Sequence, residues 1–144
     1  MKRSRESARW AASLEAWPQA PLRTQWIYVA DRESDIYEVF ERCVARSADW
    51  VIRAAQARAL LAEDQSVFAA VEQGPVRGYL SVRLRARSGQ SARTMRVVLR
   101  ACTVTLRGPW RPDGQLAPRT LQVVEAGEVA PAAGSKPMVW VLLT

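Results

Sequence analysis

The stretch "TQWIYVADRESDIYEVFERCVARSADWVIRAA", residues 24–55, restricts the fold more than any other part of the chain. Thr24 to Ala30 is a short β-rich run that ends at Asp31. From Asp35 onward, Ile36, Val39, Phe40, Cys43 and Val44 recur at i, i+3, i+4, i+7 and i+8, which predicts an amphipathic helix with one face on a core. Asp35 and Glu38 have the spacing of a capping box at its start. Asp49 to Ala55 is a second strand of the buried type. A strand, a helix and a strand joined by short links make a βαβ unit, with parallel adjacent strands and a right-handed crossover.

Upstream, Trp10, Leu14 and Trp17 sit at helical spacing in a helix expected over Glu6 to Trp17, which Pro18 stops. Downstream the texture changes. Ser66 to Gln73 reads as a short helix closed by Gly74-Pro75. Tyr79 to Arg87 then alternates, with Leu80, Val82, Leu84 and Ala86 on one face and Ser81, Arg83, Arg85 and Arg87 on the other. "SGQS" turns the chain, and Thr94 to Leu106 is the return strand, with Arg96 and Arg100 along it. Further strands are expected at Leu121 to Glu125 and Met138 to Leu143. This half predicts antiparallel sheet with one apolar and one arginine face. The chain reads as half of an α/β layer followed by a β-rich insertion; a βαβ unit with only two strands cannot make a complete sheet of usual size, which suggests a piece of a larger fold.

Charge points to the partner. Lys and Arg number 21 against 14 Asp and Glu, a net charge of +7, and Lys2 and Lys136 are the only lysines. The planar fork of arginine suits phosphate and base edges, so nucleic acid is the leading partner class; an arginine-rich composition also follows simply from a GC-rich genome. With no histidine, neither a Ser-His-Asp or Cys-His site nor an imidazole zinc site can be built. Cys43 and Cys102 are isolated, which fits a reduced, cytoplasmic setting. No run approaches the ~18 apolar residues of a membrane span.

Asp31 is the residue with chemistry to offer. Ligands of open α/β sheets lie beyond the carboxyl ends of the strands, and a carboxylate there suits a hard divalent cation. The alternative is an acid that merely favours a helix N-terminus. "DRESDIYEVFERC", then "DWVIRAAQAR", and finally "WVLLT" together resemble the central part of a DDE transposase of the insertion-sequence-four family. "ESARW" and "RTMRV" agree more loosely, and the likeness runs over nearly the whole chain.

That resemblance implies an α/β fold: a partial ribonuclease H-like βαβ core over residues 1–55, then an antiparallel β-rich insertion over 56–144 ending on a strand that returns to the core. It implies cut-and-paste DNA transposition, with Mg²⁺ or Mn²⁺ held by two aspartates and a glutamate for in-line attack on phosphodiesters. Asp31 matches the second aspartate, as catalytic residue and metal ligand. Arg53 matches an arginine facing transposon-end DNA; alternatively it closes the sheet edge with a salt bridge. Trp140 matches a tryptophan that stacks on a flipped base, or is a core residue of an alternating strand. The first aspartate and the glutamate are expected outside the chain, so alone it is expected to be inactive, with an open sheet edge at Thr24–Ala30 or Trp50–Ala55. Glu33 and Asp35 are expected to be solvated or paired with Arg32.

The expected partner is double-stranded DNA at transposon ends, with no membrane, in the bacterial cytoplasm at the nucleoid. Complete family members act as dimers on DNA. Two further possibilities remain: a non-enzymatic DNA-binding module using Arg83, Arg85, Arg87, Arg96 and Arg100, and an inactive structural remnant.

Overall fold

The computed structural model describes residues 3–62 and 64–144. The chain runs α1 (Arg3–Glu15), β1 (Ile27–Ala30), a 3-10 turn (Arg32–Ser34), α2 (Tyr37–Ala45), β2 (Asp49–Arg53) and α3 (Val67–Glu72). The β-rich half follows: β3 (Val76–Leu84), β4 (Arg93–Leu106), β5 (Trp110–Arg111), β6 (Gly114–Gln115), β7 (Arg119–Glu128) and β8 (Val139–Leu143). It is a mixed α/β structure dominated by one six-stranded sheet in the order β1-β2-β8-β7-β4-β3. No described helix is long and apolar enough to cross a membrane.

β1 and β2 are parallel neighbours, with Ile27 opposite Asp49 and Ala30 opposite Ile52, as the βαβ pattern requires. All other pairings in the sheet are antiparallel, and β8 inserts between β2 and β7. Residues 1–55 and 56–144 therefore share one continuous sheet. β1 forms an outer edge, leaving Ile27 51% and Val29 72% exposed.

Side chains alternate across a strand, so the register defines two faces. One carries Tyr28, Trp50, Ile52, Val141, Leu143, Val123 and Val104, all buried in the main core with Leu14 of α1, Phe40 and Cys43 of α2, and Val67 and Val71 of α3. The helices thus cover a single face. Phe40 lies on Trp50 with ring centroids 5.6 Å apart. Trp17 packs on Trp26 at 5.3 Å, whereas Trp10 is exposed and Ala11 takes the inward position beside Leu14. Val44 is also exposed, so the apolar stripe of α2 ends at Cys43.

β4 changes its buried side along its length. Val104 and Leu106 are buried near α3, but Met95 and Val97, on the opposite face, are buried at the far end. Fourteen residues outrun the helices, so the distal half packs on its other side. β3 starts at Val76 and stops at Leu84, which places Arg85 and Arg87 beyond the strand expected to hold them. The chain between β4 and β7, with no expected strand, forms the small β5–β6 hairpin. There Gly108 is essential, because a Cβ would stand 1.8 Å from the Leu116 carbonyl oxygen.

α2 closes with a Schellman motif: Ala48 N–H donates to the Cys43 carbonyl at 2.9 Å and Ser47 N–H to Val44 at 3.0 Å. Ser47 occupies the left-handed position with φ 51°. Glycine adopts that conformation without the Cβ clash. Ser47→Gly is expected to stabilise the fold by about 0.5–1 kcal/mol, read as a higher urea midpoint at unchanged slope.

Candidate functional site

Three strands deliver Asp31, Arg53 and Trp140 to one place. Asp31 follows β1 in extended conformation and opens the 3-10 turn, where its carbonyl accepts from Ser34 N–H at 3.0 Å. Its side chain caps nothing, is 65% exposed, and sits with Oδ1 3.7 Å from Arg53 Nη1. Arg53 ends β2 opposite Leu142 of β8, and Trp140 lies two residues earlier on the same face. The Arg53 guanidinium stands 5.1 Å from the Trp140 ring centroid. The result is a row of carboxylate, guanidinium and indole on the sheet face that the helices leave open. The pair with Asp31 is loose enough for Arg53 to take another anion, while the half-exposed indole offers a flat surface.

Beside the row an open cleft of about 330 Å³ is lined by Arg32, Arg53, Ala54, Ala55, Phe68 and Val139, among others. Asp35 shapes it. Its buried carboxylate accepts from Ala55 N–H at 2.6 Å, Gln56 N–H at 2.7 Å, and Arg58 Nε and Nη2 at 2.8 and 2.7 Å. Arg58 Nη2 also donates to the Asp35 carbonyl at 2.7 Å, and the guanidinium covers Phe40 at 5.4 Å. Two expectations are corrected here. Asp35 is neither solvated nor paired with Arg32, and it does not cap α2, whose N-cap is Ile36 without a side-chain hydrogen bond. The chain leaving β2 presents two backbone N–H groups and a guanidinium inward, and these outcompete a helix end for one carboxylate. Glu38, the other half of the expected capping box, instead accepts from Arg111 and so ties α2 to β5.

The arginine hairpin occupies the opposite edge of the sheet, away from the Asp31 row. Arg83 lies opposite Thr94, and Arg96 opposite Ser81, so both share a face with Tyr79. The Arg96 guanidinium stands 4.5 Å from the Tyr79 ring centroid. Arg100 is differently engaged: it donates to the Gly74 carbonyl at 3.1 Å and lies 4.0 Å from Glu125. Burial raises the Glu125 carboxyl above its ordinary range, against the pull of Arg100 and with a further push from Glu72. Arg85 and Arg87 project from the hairpin end, where Arg87 and Gln90 exchange backbone hydrogen bonds.

Other groups offer less. Burial pushes the Cys43 thiol up to about 11, with Asp49 adding to it, so this cysteine is held protonated. Among the described residues no three His, Cys, Asp or Glu side chains gather as a metal site. Asp31 is a single carboxylate beside a cation and Asp35 is consumed by Arg58, so these two residues do not by themselves make a two-metal centre. Arg32, Arg58 and Phe68 were not foreseen at the site. Arg58 closes the quoted stretch "DWVIRAAQAR", a signal that a charge so near a buried strand has a partner. No family model and no curated protein matches this chain.

Proposed function

We propose that this chain carries part of the catalytic core of a DDE transposase of the insertion-sequence-four type, with a ribonuclease H-like arrangement of β1, α2 and β2. In this role Asp31 is the second metal-binding aspartate, Arg53 holds a DNA phosphate and Trp140 stacks on an unpaired base. The observation that carries the proposal is the convergence of these three residues, far apart in sequence, at the carboxyl end of the parallel strand pair. Open α/β sheets use that end for ligands. Since the remaining metal ligands are not among its residues, the chain alone binds DNA without cutting it.

Duplex DNA with one extrahelical base is the probe. Wild type is expected to bind it about ten-fold more tightly than the perfect duplex, and Trp140→Ala to erase that preference, because base–aromatic stacking contributes ~1–3 kcal/mol. An equal preference in Trp140→Ala overturns the assignment. Asp31→Asn carries an unusual sign. It removes a negative charge from beside Arg53 and the incoming phosphate, so without metal it is expected to raise affinity about three- to ten-fold. Weaker binding by Asp31→Asn in fluorescence anisotropy contradicts the placement of phosphate on Arg53.

A second reading has its own observation. Residues 73–112 contain nine arginines and no Asp or Glu. Such a segment attracts polyanions without any catalytic centre.

A further inference from the structure

We infer that the solvent-facing side of the β3–β4 hairpin is a binding platform for single-stranded DNA, built on Tyr79 and Arg96 with Arg83 beside them. Tyr79 is a large aromatic side chain in mid-strand that no core accounts for: it is 53% exposed and lies outside the main buried cluster. Its polar neighbours define what can join it. Arg96 is a diagonal cross-strand neighbour of Tyr79, which lies opposite Val98, and its guanidinium covers the ring at 4.5 Å. Arg83, opposite Thr94, is the other diagonal neighbour of Arg96. Ser81 and Thr94 fill the same face between them, both exposed.

Chemistry selects the ligand. A guanidinium stacked on a tyrosine is a flat, cationic, half-desolvated surface, and a nucleobase adds to such a surface through its π-face. In a duplex both faces of every internal base are already stacked, so only an unpaired strand can offer one. The strand also needs cations for its phosphates. Among the described residues Arg83, Arg85, Arg87 and Arg96 join no ion pair, and no acidic residue occurs between positions 73 and 112 to oppose them. Arg93, by contrast, is held by Glu128 on the opposite face and contributes nothing here. β3 and β4 fix the backbone of Tyr79, Arg83 and Arg96, which lowers the ordering cost of binding. The identity of the strand as DNA rests on the function proposed above; the stacking surface itself does not.

The experiment is anisotropy of a labelled dodecamer of thymidine with the intact chain. Wild type is expected to bind it, and Tyr79→Ala to weaken binding about ten-fold, as loss of a stacked base does. Tyr79→Trp is expected to restore it. Because Tyr79 lies on an exposed face, both variants keep the wild-type thermal melt, which is recorded in parallel. Trp140→Ala is expected to leave dodecamer binding unchanged, and Tyr79→Ala to leave the preference for an extrahelical base unchanged, so the two sites fail or stand separately. Unaltered affinity in Tyr79→Ala overturns the platform, as does equal competition by unlabelled duplex of the same length. Stronger binding of oligouridine RNA than of the DNA dodecamer overturns the choice of strand.

Discussion

Arg58→Ala is expected to lower the unfolding free energy by about 3–5 kcal/mol, the usual result of stranding a buried charge. The Asp35 side chain is wholly buried and that of Arg58 is only 15% exposed, so water cannot replace the lost guanidinium. Two backbone N–H groups still reach the carboxylate, from Ala55 and Gln56, but they do not neutralise it. The same substitution uncovers Phe40, which Arg58 caps. Against a typical domain stability of roughly 5–15 kcal/mol, the loss is large enough to be seen in any urea titration. Arg58→Ala with Asp35→Asn removes both charges and is expected to recover part of it, since a neutral buried pair costs less than one orphaned ion. Hydrogen exchange gives a local readout: the amides of Ala55 and Gln56 should exchange faster in Asp35→Ala than in wild type. A loss below about 1 kcal/mol, the value of an ordinary exposed pair, excludes the lock.

That lock explains why the candidate site exists. The turn after β1 and the chain after β2 must come together for Asp31 to meet Arg53, yet their pairing in the sheet ends at Ala30 and Ile52. Asp35 and Arg58 extend the connection past the last backbone hydrogen bonds of the strands. The open row of Asp31, Arg53 and Trp140 therefore rests on a buried ionic clamp, and stability and site geometry are expected to fall together.

The βαβ unit was legible because period and β-branching act locally. Val39, Phe40 and Cys43 had to face one way, and Trp50 and Ile52 had to alternate into the same core. The partner of Asp35 was hidden because the competition is tertiary: the helix start offered a nearby use for the carboxylate, and Arg58 lies on an irregular segment without periodicity. The alternation in β3 correctly set Arg83 apart from Leu84, but it carried no information on where pairing with β4 would stop. Nor could alternation reveal that β4 buries opposite faces at its two ends, since that depends on how far the helices reach. Asp31 was marked by its place at the end of a strand, and Arg53 and Trp140 by resemblance; that the three are neighbours depends on strand order, which no local pattern carries.

Salt dependence is expected to separate a local arginine surface from diffuse positive charge. If the whole net charge of +7 attracted duplex DNA evenly, log affinity would fall against log salt with a slope of about −6. Ion pairs in the structure argue for a smaller number. Arg42, Arg58, Arg93, Arg111 and Arg119 are each bound to a carboxylate, whereas among the described residues Arg83, Arg85, Arg87 and Arg96 form a set of cations without an ion pair toward the turn of one hairpin. Four phosphate contacts give a slope of about −3.5, and affinity then drops about two orders of magnitude between about 50 and 200 mM salt. Replacing all four with glutamine should bring the slope close to that of Arg53 alone, about −1. Glutamine at Arg23 and Arg107, which lie outside this hairpin and lower the net charge without touching its surface, should leave it unchanged. A slope that follows net charge in both variants means that DNA is held by the field of the whole molecule; a slope lost only with the hairpin arginines means that the charge is placed. The register, which sets Arg83 and Arg96 on the face of Tyr79, favours the second outcome.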